Sequence, residues 1–426
     1  MKKNLIFVAM ATMVLASCVQ EESLENNEVL ASAPKEITFQ TVVAKQSSRA
    51  LINSSEYKTT DPAFGAWARY NPSGTTVGTM AFINNDMVEY IDDVTDYWGI
   101  KDTAHVHYWP NTGSLTFYAY SPFYHQENPS DSIAVVKDAN AQAPKTGQYG
   151  ISFPDYDVDE YQQTDLMVAD VQVGQTANIT ANEGGNNSAY TGVPTIFRHK
   201  LAVILAFRLG TSEDYDGNFV PGISQGTYNT GAEAGDMRFF IQEIKLVNVE
   251  TKGSYYGETY TVNNDKIADR WELASTPEKK DYVWYKNAVG TEFGYVGAKR
   301  LEISWTNDST QTHVNPTLAR NENRYHLLVL PQEFEKGKQQ LEVTYFIKTY
   351  KGTPGQTFAN VQEAEEAWEA GAPITKTVDL IDVHPTDAKA WKMNQQITYT
   401  LKFSTSEIRW APQITDWDTA DYTIDF

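Results

Sequence analysis

Apolar and polar residues alternate with a period of two over most of this chain, which is the signature of strands with one buried face. Ile37, Phe39, Thr41 and Val43 share one face of a first strand over residues 37–44. Further strands are predicted over 63–70, 115–120 and 166–169. The longest alternation runs over 196–210. Phe197, Leu201, Val203, Leu205, Phe207 and Leu209 lie on one face there, and Arg198, Lys200 and Arg208 on the other. The β pattern continues over 239–249, 301–305, 325–330, 341–350 and 397–403, punctuated by Asn323, Pro331, Gly337 and Gly352. One segment has helical spacing instead. Asn360 is placed to cap it, Glu363 sits at the capping-box position, Ala364, Ala367 and Trp368 form its stripe, and Gly371 ends it.

The chain is longer than a single hydrophobic core supports, so two domains are expected. The run Gly184-Gly185-Asn186-Asn187, within a stretch poor in apolar residues, marks the boundary. It divides an N-terminal β-sandwich at 36–190 from a C-terminal one at 191–426 that holds the short helix. No fixed-period repeat appears, which disfavours solenoids and propellers. With 25 Tyr, 18 Phe and 10 Trp among frequent turn residues, composition also favours an all-β protein.

Before residue 36 the pattern changes. Lys2 and Lys3 precede an apolar run over 5–16, then Ser17 and Cys18. About 12 apolar residues are too few to span a bilayer, so residues 1–17 read as an export signal. Cys18 is the one cysteine of the chain, so no disulfide within the chain is expected. Residues 18–35 are polar and acidic and read as a solvated tether, at most about 60 Å long when extended. No second stretch is long and apolar enough to cross a membrane. The chain carries a net charge of −21, with 55 acidic against 34 basic residues. That balance repels phosphate backbones, so nucleic acid is not an expected partner.

Candidate chemistry is sparse. His105 and His107 share a strand face and offer two metal ligands, but spacing supplies no third. His199 falls on an apolar face and reads as a core histidine satisfied by backbone. There is no Gly-x-Ser-x-Gly, phosphate loop or His-Glu-x-x-His, so no enzyme, cofactor or metal is expected. The alternative is a carbohydrate-binding surface lipoprotein, whose Trp and Tyr rings would stack on sugars; an exposed planar row of rings would support it.

Several pieces taken in order resemble one family. Leu15-Ala16-Ser17-Cys18 resembles the lipoprotein box, in which the cysteine is acylated after cleavage behind Ser17. The first strand is followed by Ser47-Ser48-Arg49-Ala50. Then come Tyr108-Trp109-Pro110, the run from Leu115 to Pro122, Thr164 to Asp170, and Phe197-Arg198-His199-Lys200-Leu201-Ala202. With the closing segments 391–403 and 408–417, the whole is similar to the fimbrillin-like proteins, subunits of the type V pili of Bacteroidota. The resemblance implies two tandem transthyretin-like β-sandwich domains and export as a lipoprotein to the outer surface of the outer membrane. It also implies assembly with other pilin subunits by strand exchange. A trypsin-like maturation protease cuts between Arg49 and Ala50, the strand carrying Ile37, Phe39, Thr41 and Val43 departs, and a strand of another subunit replaces it. Adhesion to a host protein or glycan follows from the same resemblance. Ile408 and Trp410, then Tyr422, Ile424 and Phe426, alternate as a donor strand must, although 408–426 could equally complete the C-terminal domain.

Overall fold

A computed structural model describes residues 36–43, 63–72, 80–91, 97–100, 104–123, 150–158, 164–176, 192–211, 237–260, 266–276, 278–286, 312–314, 326–353, 355–359, 363, 366–384, 389–403 and 408–416. Residues 36–426 form a single compact unit by their contacts.

The described chain is all β, built from 25 strands numbered here in chain order. The first sheet contains β1 (Phe39–Val43), β2 (Ala63–Asn71), β3 (Met80–Ile91), β4 (Tyr97–Gly99), β5 (Ser114–Ser121), β7 (Met167–Ala169), β8 (Gln172–Gln175) and β9 (Val193–His199). Its order is β2-β3-β4-β1-β9-β7-β5, and β5 pairs back onto β2 from Gly65↔Tyr120 to Asn71↔Ser114. Seven strands therefore close into a ring, with β8 as a branch on β5. Closure removes free sheet edges. Its interior packs Ile37, Phe39, Phe64, Ile83, Trp98, Trp109, Leu115, Phe117 and Phe197.

Both faces of β5 are buried, which explains its sequence Leu-Thr-Phe-Tyr-Ala-Tyr. Leu115, Phe117 and Ala119 point into the ring, while Tyr118 and Tyr120 enter a second core behind it. Gly65 of β2 leaves room for the Tyr120 ring, since a Cβ there would lie 2.1 Å from it. That second core also holds Trp67, Phe153, Tyr156, Leu201, Val203, Tyr255, Leu328 and Leu330. It is backed by a three-stranded sheet in which β6 (Ser152–Asp157) pairs with β12 (Lys252–Tyr256), and β12 with β15 (Arg270–Leu273).

The C-terminal part has two five-stranded sheets. One joins β17 (Thr312–Val314), β10 (Ala202–Thr211), β24 (Gln395–Phe403) and β25 (Ile408–Asp416), with β18 (Leu327–Val329) also on β10. The other joins β16 (Lys279–Lys286), β11 (Met237–Glu250), β20 (Gln340–Tyr350) and β21 (Trp368–Ala370), with β22 (Ile374–Asp379) also on β20. Between them lies a core with Phe207 stacked on Tyr399 at 5.3 Å and edge-on to Trp284 at 5.0 Å. Two small pairs, β13 (Thr259–Tyr260) with β14 (Lys266–Ile267) and β19 (Gln332–Glu333) with β23 (Ala390–Trp391), complete the strands.

Several expectations are revised. The alternation over 196–210 is not one strand: β9 ends at His199 and β10 begins at Ala202, so Phe197 enters the ring and Val203 the second core. Leu205 is half-buried rather than buried, beside a bulge at Ile204/Ala206. Strand β9, beyond the expected boundary at 190, belongs to the N-terminal sheet. The polar Gly184–Asn187 run falls between β8 and β9 of that same sheet, and the chain crosses over at Lys200–Leu201. The helical segment is also shorter than expected. Glu363 and Glu366 are helical, and Glu363 accepts from the Ala359 N–H, but Trp368 pairs with Tyr350 in β21, where their rings meet at 5.1 Å. The short helix that the described residues contain in full is α1 (Leu380–Val383).

The crossover is held by polar contacts. The Lys200 ammonium reaches Asp269 at 2.8 Å, Tyr255 donates to the same carboxylate at 3.0 Å, and the Trp271 indole donates to the Lys200 carbonyl at 2.7 Å. Burial acts to raise the Asp269 carboxyl, but the Lys200 charge and the hydrogen bonds from Lys200 and Tyr255 outweigh it and hold the group below its ordinary value. Burial first, and then Asp269, pushes the Tyr255 hydroxyl well up. His199 is held by the buried Asp165 carboxylate at 2.8 Å, where a backbone partner was expected.

Candidate functional site

The first strand lies inside the ring wall, not at a sheet edge. β1 runs parallel to β9 over five paired residues, Phe39↔Val193 to Val43↔Phe197, and antiparallel to β4 at Phe39↔Trp98. Ile37 N–H donates to the His107 carbonyl at 2.9 Å, and Val193 N–H donates to the Thr38 carbonyl at 2.8 Å. Glu36 bridges to Tyr108. Backbone pairing therefore ties β1 to three segments far from it in sequence.

Side chains tie it to the core. Ile37 and Phe39 are 1% and 2% exposed, Thr41 is half-buried and Gln40 is exposed. Only the backbone of Val43 is described. Phe39 sits in an aromatic socket, edge-on to Phe64 at 5.6 Å and to Phe117 at 5.9 Å. Phe64 in turn contacts Trp98 and Phe197. Burying a side chain of this size contributes roughly 1.5–3 kcal/mol, and each ring pair about 0.5–1.5 kcal/mol more. Gly192 is a steric requirement of this bed. Its φ is +94°, and a Cβ there would lie 2.6 Å from the Phe39 nitrogen.

Without β1, β9 and β4 would each lose the ladder partner on one side, and the socket would open to water. Unpaired strand groups beside an apolar groove form a site for an extended segment. The alternation of Ile37, Phe39 and Thr41 is legible in the sequence, whereas the parallel partner β9 and the role of Gly192 are not, being set by contacts some 150 residues away.

The other expected residues stand as follows. Cys18, Ser17, Arg49 and Ala50 lie outside the described residues, as do 417–426. Residues 408–416 form β25, paired with β24 from Phe403↔Ile408 to Gln395↔Asp416 at the end of its sheet. His107 contacts Asp86 at 2.7 Å, and His105 is exposed. Among the described residues no three His, Cys, Asp or Glu side chains are grouped to hold a metal ion, and no helix is long and apolar enough to cross a membrane. Tyr108, 49% exposed, is the one aromatic among the exposed large hydrophobics described.

Comparison with known proteins decides the family. The fimbrillin-like family model matches residues 48–417. The chain belongs to the fimbrillin-like family. Its fold is similar to that of a fimbrial protein from Bacteroides vulgatus at 18% identity and a TM-score of 0.54, covering 89% of this chain and 99% of that one. The tip fimbrial protein Mfa3 from Porphyromonas gingivalis, solved with a C-terminal truncation, matches at 10% identity and a TM-score of 0.30, over 90% of this chain and all of that one. A fimbrial assembly protein from Parabacteroides distasonis matches at 7% identity and a TM-score of 0.31, over 91% and 99%. No curated protein sequence matches the chain. The family is of structural fimbrial type rather than enzymatic.

Proposed function

We propose that this fimbrillin-like protein is a structural subunit of a surface fimbria, assembled by donor-strand exchange at the bed of β1. The observation that carries this is the position of β1 in the ring wall. Its removal leaves a strand-shaped gap lined by Phe64, Trp98 and Phe117, which another subunit's strand can fill. In this reading Cys18 is acylated after the signal is removed behind Ser17, and the lipid holds the subunit at the outer membrane. A trypsin-like protease then cuts between Arg49 and Ala50 and frees the first strand. The two-sandwich, transthyretin-like domain arrangement and a role in adhesion to host protein or glycan belong to the same proposal. Joining subunits head to tail is a heterologous contact and generates an open filament.

Limited trypsin digestion of the purified chain tests the exchange. Wild-type protein is expected to lose residues up to Arg49 and form higher oligomers, while Arg49→Ala stays uncut there and monomeric. Cut protein that keeps β1 and remains monomeric at high concentration overturns the proposal. Cys18→Ala is expected to leave the protein unlipidated and poorly retained by membranes; unchanged membrane partition refutes the anchor.

A further inference from the structure

The two sides of β1 are held unequally. On one side β9 pairs with all five of its residues, Phe39↔Val193 to Val43↔Phe197. On the other, β4 pairs at Phe39↔Trp98. Residues 105–109 continue that second side. The Ile37 N–H donates to the His107 carbonyl at 2.9 Å, and Glu36 bridges antiparallel to Tyr108. This strap belongs to none of the sheets among the described residues, so its side chains fix it. Trp109 is buried in the ring core, edge-on to Phe117 at 5.7 Å. The His107 ring meets the Asp86 carboxylate at 2.7 Å and the Phe82 ring at 5.8 Å.

β3 is shaped to make that contact. Against β2 it skips two residues. Phe82 falls between Ala68↔Ile83 and Arg69↔Ala81, and Asn85 between Ala66↔Asp86 and Trp67↔Asn84. Bulges of this kind re-aim the side chains beside them. Without the second one, Asp86 would have the opposite parity to Ile83 and face away from the ring core. With it, Asp86 stands opposite the core residue Ala66, as Ile83 stands opposite Ala68. Asn85 takes a left-handed φ of 56°, uncommon for a residue other than glycine, and accepts from the Tyr120 hydroxyl at 3.0 Å. Both groups that hold the His107 ring therefore come from irregular places in β3. With side-chain exposures of 26% for His107 and 22% for Asp86, their contact is largely shielded from water.

We infer that residues 105–109 are a latch on the first strand, closed by the His107–Asp86 contact. While the contact holds, the His107 carbonyl and the Tyr108 backbone stay beside Ile37 and Glu36, and β1 does not open from its amino-terminal end. When it is lost, the strap frays and the Ile37 N–H loses its acceptor. That side of β1 then keeps its pairing with β4 at Phe39. The latch acts in the uncut chain. Its consequence for subunits is that cut chains shed the first strand at a rate set by Asp86 and His107, and this consequence rests on the strand-exchange reading above.

Hydrogen exchange of the uncut chain tests the latch by itself. Asp86→Ala is expected to speed exchange at the amides of Ile37 and Phe39–Val43 about fivefold or more, as loss of a charged hydrogen bond does, and to leave the amides of β24 unchanged. Asp86→Asn, which keeps the size and removes the charge, should act in the same direction with a smaller amplitude. Lys245→Ala removes a contact of matching exposure in the C-terminal sheet, Lys245–Glu342 at 23% and 24%, and should leave β1 exchange at the wild-type rate. A second arm fixes the strap covalently, with Glu36→Cys and Tyr108→Cys in the chain carrying Cys18→Ala. Antiparallel partners have Cα atoms about 4.5–5.5 Å apart, within disulfide reach. Once the cross-link has formed, Asp86→Ala should no longer speed β1 exchange. Acceleration undiminished by the cross-link means that Asp86 acts through the ring and not the strap, and overturns the inference. So does β1 exchange that neither Asp86 variant changes, or a chain whose two new thiols fail to join. Limited trypsin cutting then separates the latch from strand exchange. Cut Asp86→Ala protein is expected to shed β1 about fivefold faster than cut wild type. Cut protein that never sheds β1, with exchange in the uncut variant still accelerated, refutes strand exchange and leaves the latch. Equal shedding with equal exchange refutes the latch and leaves strand exchange.

Discussion

The first and the last strands described are held in opposite ways. β1 has five residues, neighbours on both sides and a buried aromatic anchor; β25 has nine residues and pairs with β24 at one end of an open sheet. Taking β25 from its sheet replaces one edge, that of β25, with another, that of β24. Taking β1 from a closed ring creates two edges where none existed and opens the ring core. Strand length alone is thus a poor guide to what a strand does for its fold. Breaking the ring calls for a replacement strand, whereas shortening the edge does not. Pro412 fits the same contrast, since proline is tolerated where a sheet ends and blunts the edge against further pairing.

The largest expected effect comes from emptying the socket. Phe39→Ala should cost about 3–5 kcal/mol, as large-to-small core changes of an aromatic do, read as a lowered urea midpoint of the uncut protein. A cost below about 1 kcal/mol would mean that β1 is not anchored by its ring. Gly192→Ala comes next. It forces a Cβ against the β1 backbone at a positive φ, and should destabilise by at least about 1 kcal/mol. Faster hydrogen exchange is expected at Phe39–Val43, with the amides of β24 unaffected.

A smaller effect is expected at the crossover. Because the folded Asp269 carboxyl lies below its ordinary value of 3.8, it contributes stability above that pH and loses it as pH falls through the folded value. Asp269→Asn should remove this part of the acid dependence, so the variant's stability should fall less steeply than wild type on acidification below pH 4; parallel profiles would refute it. The smallest effect is expected at the edge. Pro412→Ala should change stability by no more than about 0.5 kcal/mol, as surface substitutions do. A loss as large as that from Phe39→Ala would erase the contrast between the two strands.

Much of the fold was legible because burial parity is a local property. Ile37 and Phe39 alternate in sequence and are buried, and Leu115 to Tyr120 reads as a strand whose second apolar face needed a second core. What stayed hidden is long-range. The alternation from Phe197 through His199 and Leu201 to Val203 keeps its parity across the break, so nothing local announces that Phe197 and Leu201 enter different cores. Trp368 carries helix-like spacing after Glu363, yet pairing with Tyr350 overrides it. The Asp165–His199 pair joins residues 34 positions apart, and no motif signals it. Ring closure through β2 and β5, and the parallel β1–β9 pairing that makes the site, depend on partners that alternation cannot name.

The most direct measurement is the mass and amino-terminal sequence of subunits in fibres recovered from the cell surface. Exchange at the bed of β1 predicts subunits that begin at Ala50, with no peptide from residues 36–43 in the washed fibre. Fibres whose subunits retain Ile37 to Val43 would contradict it.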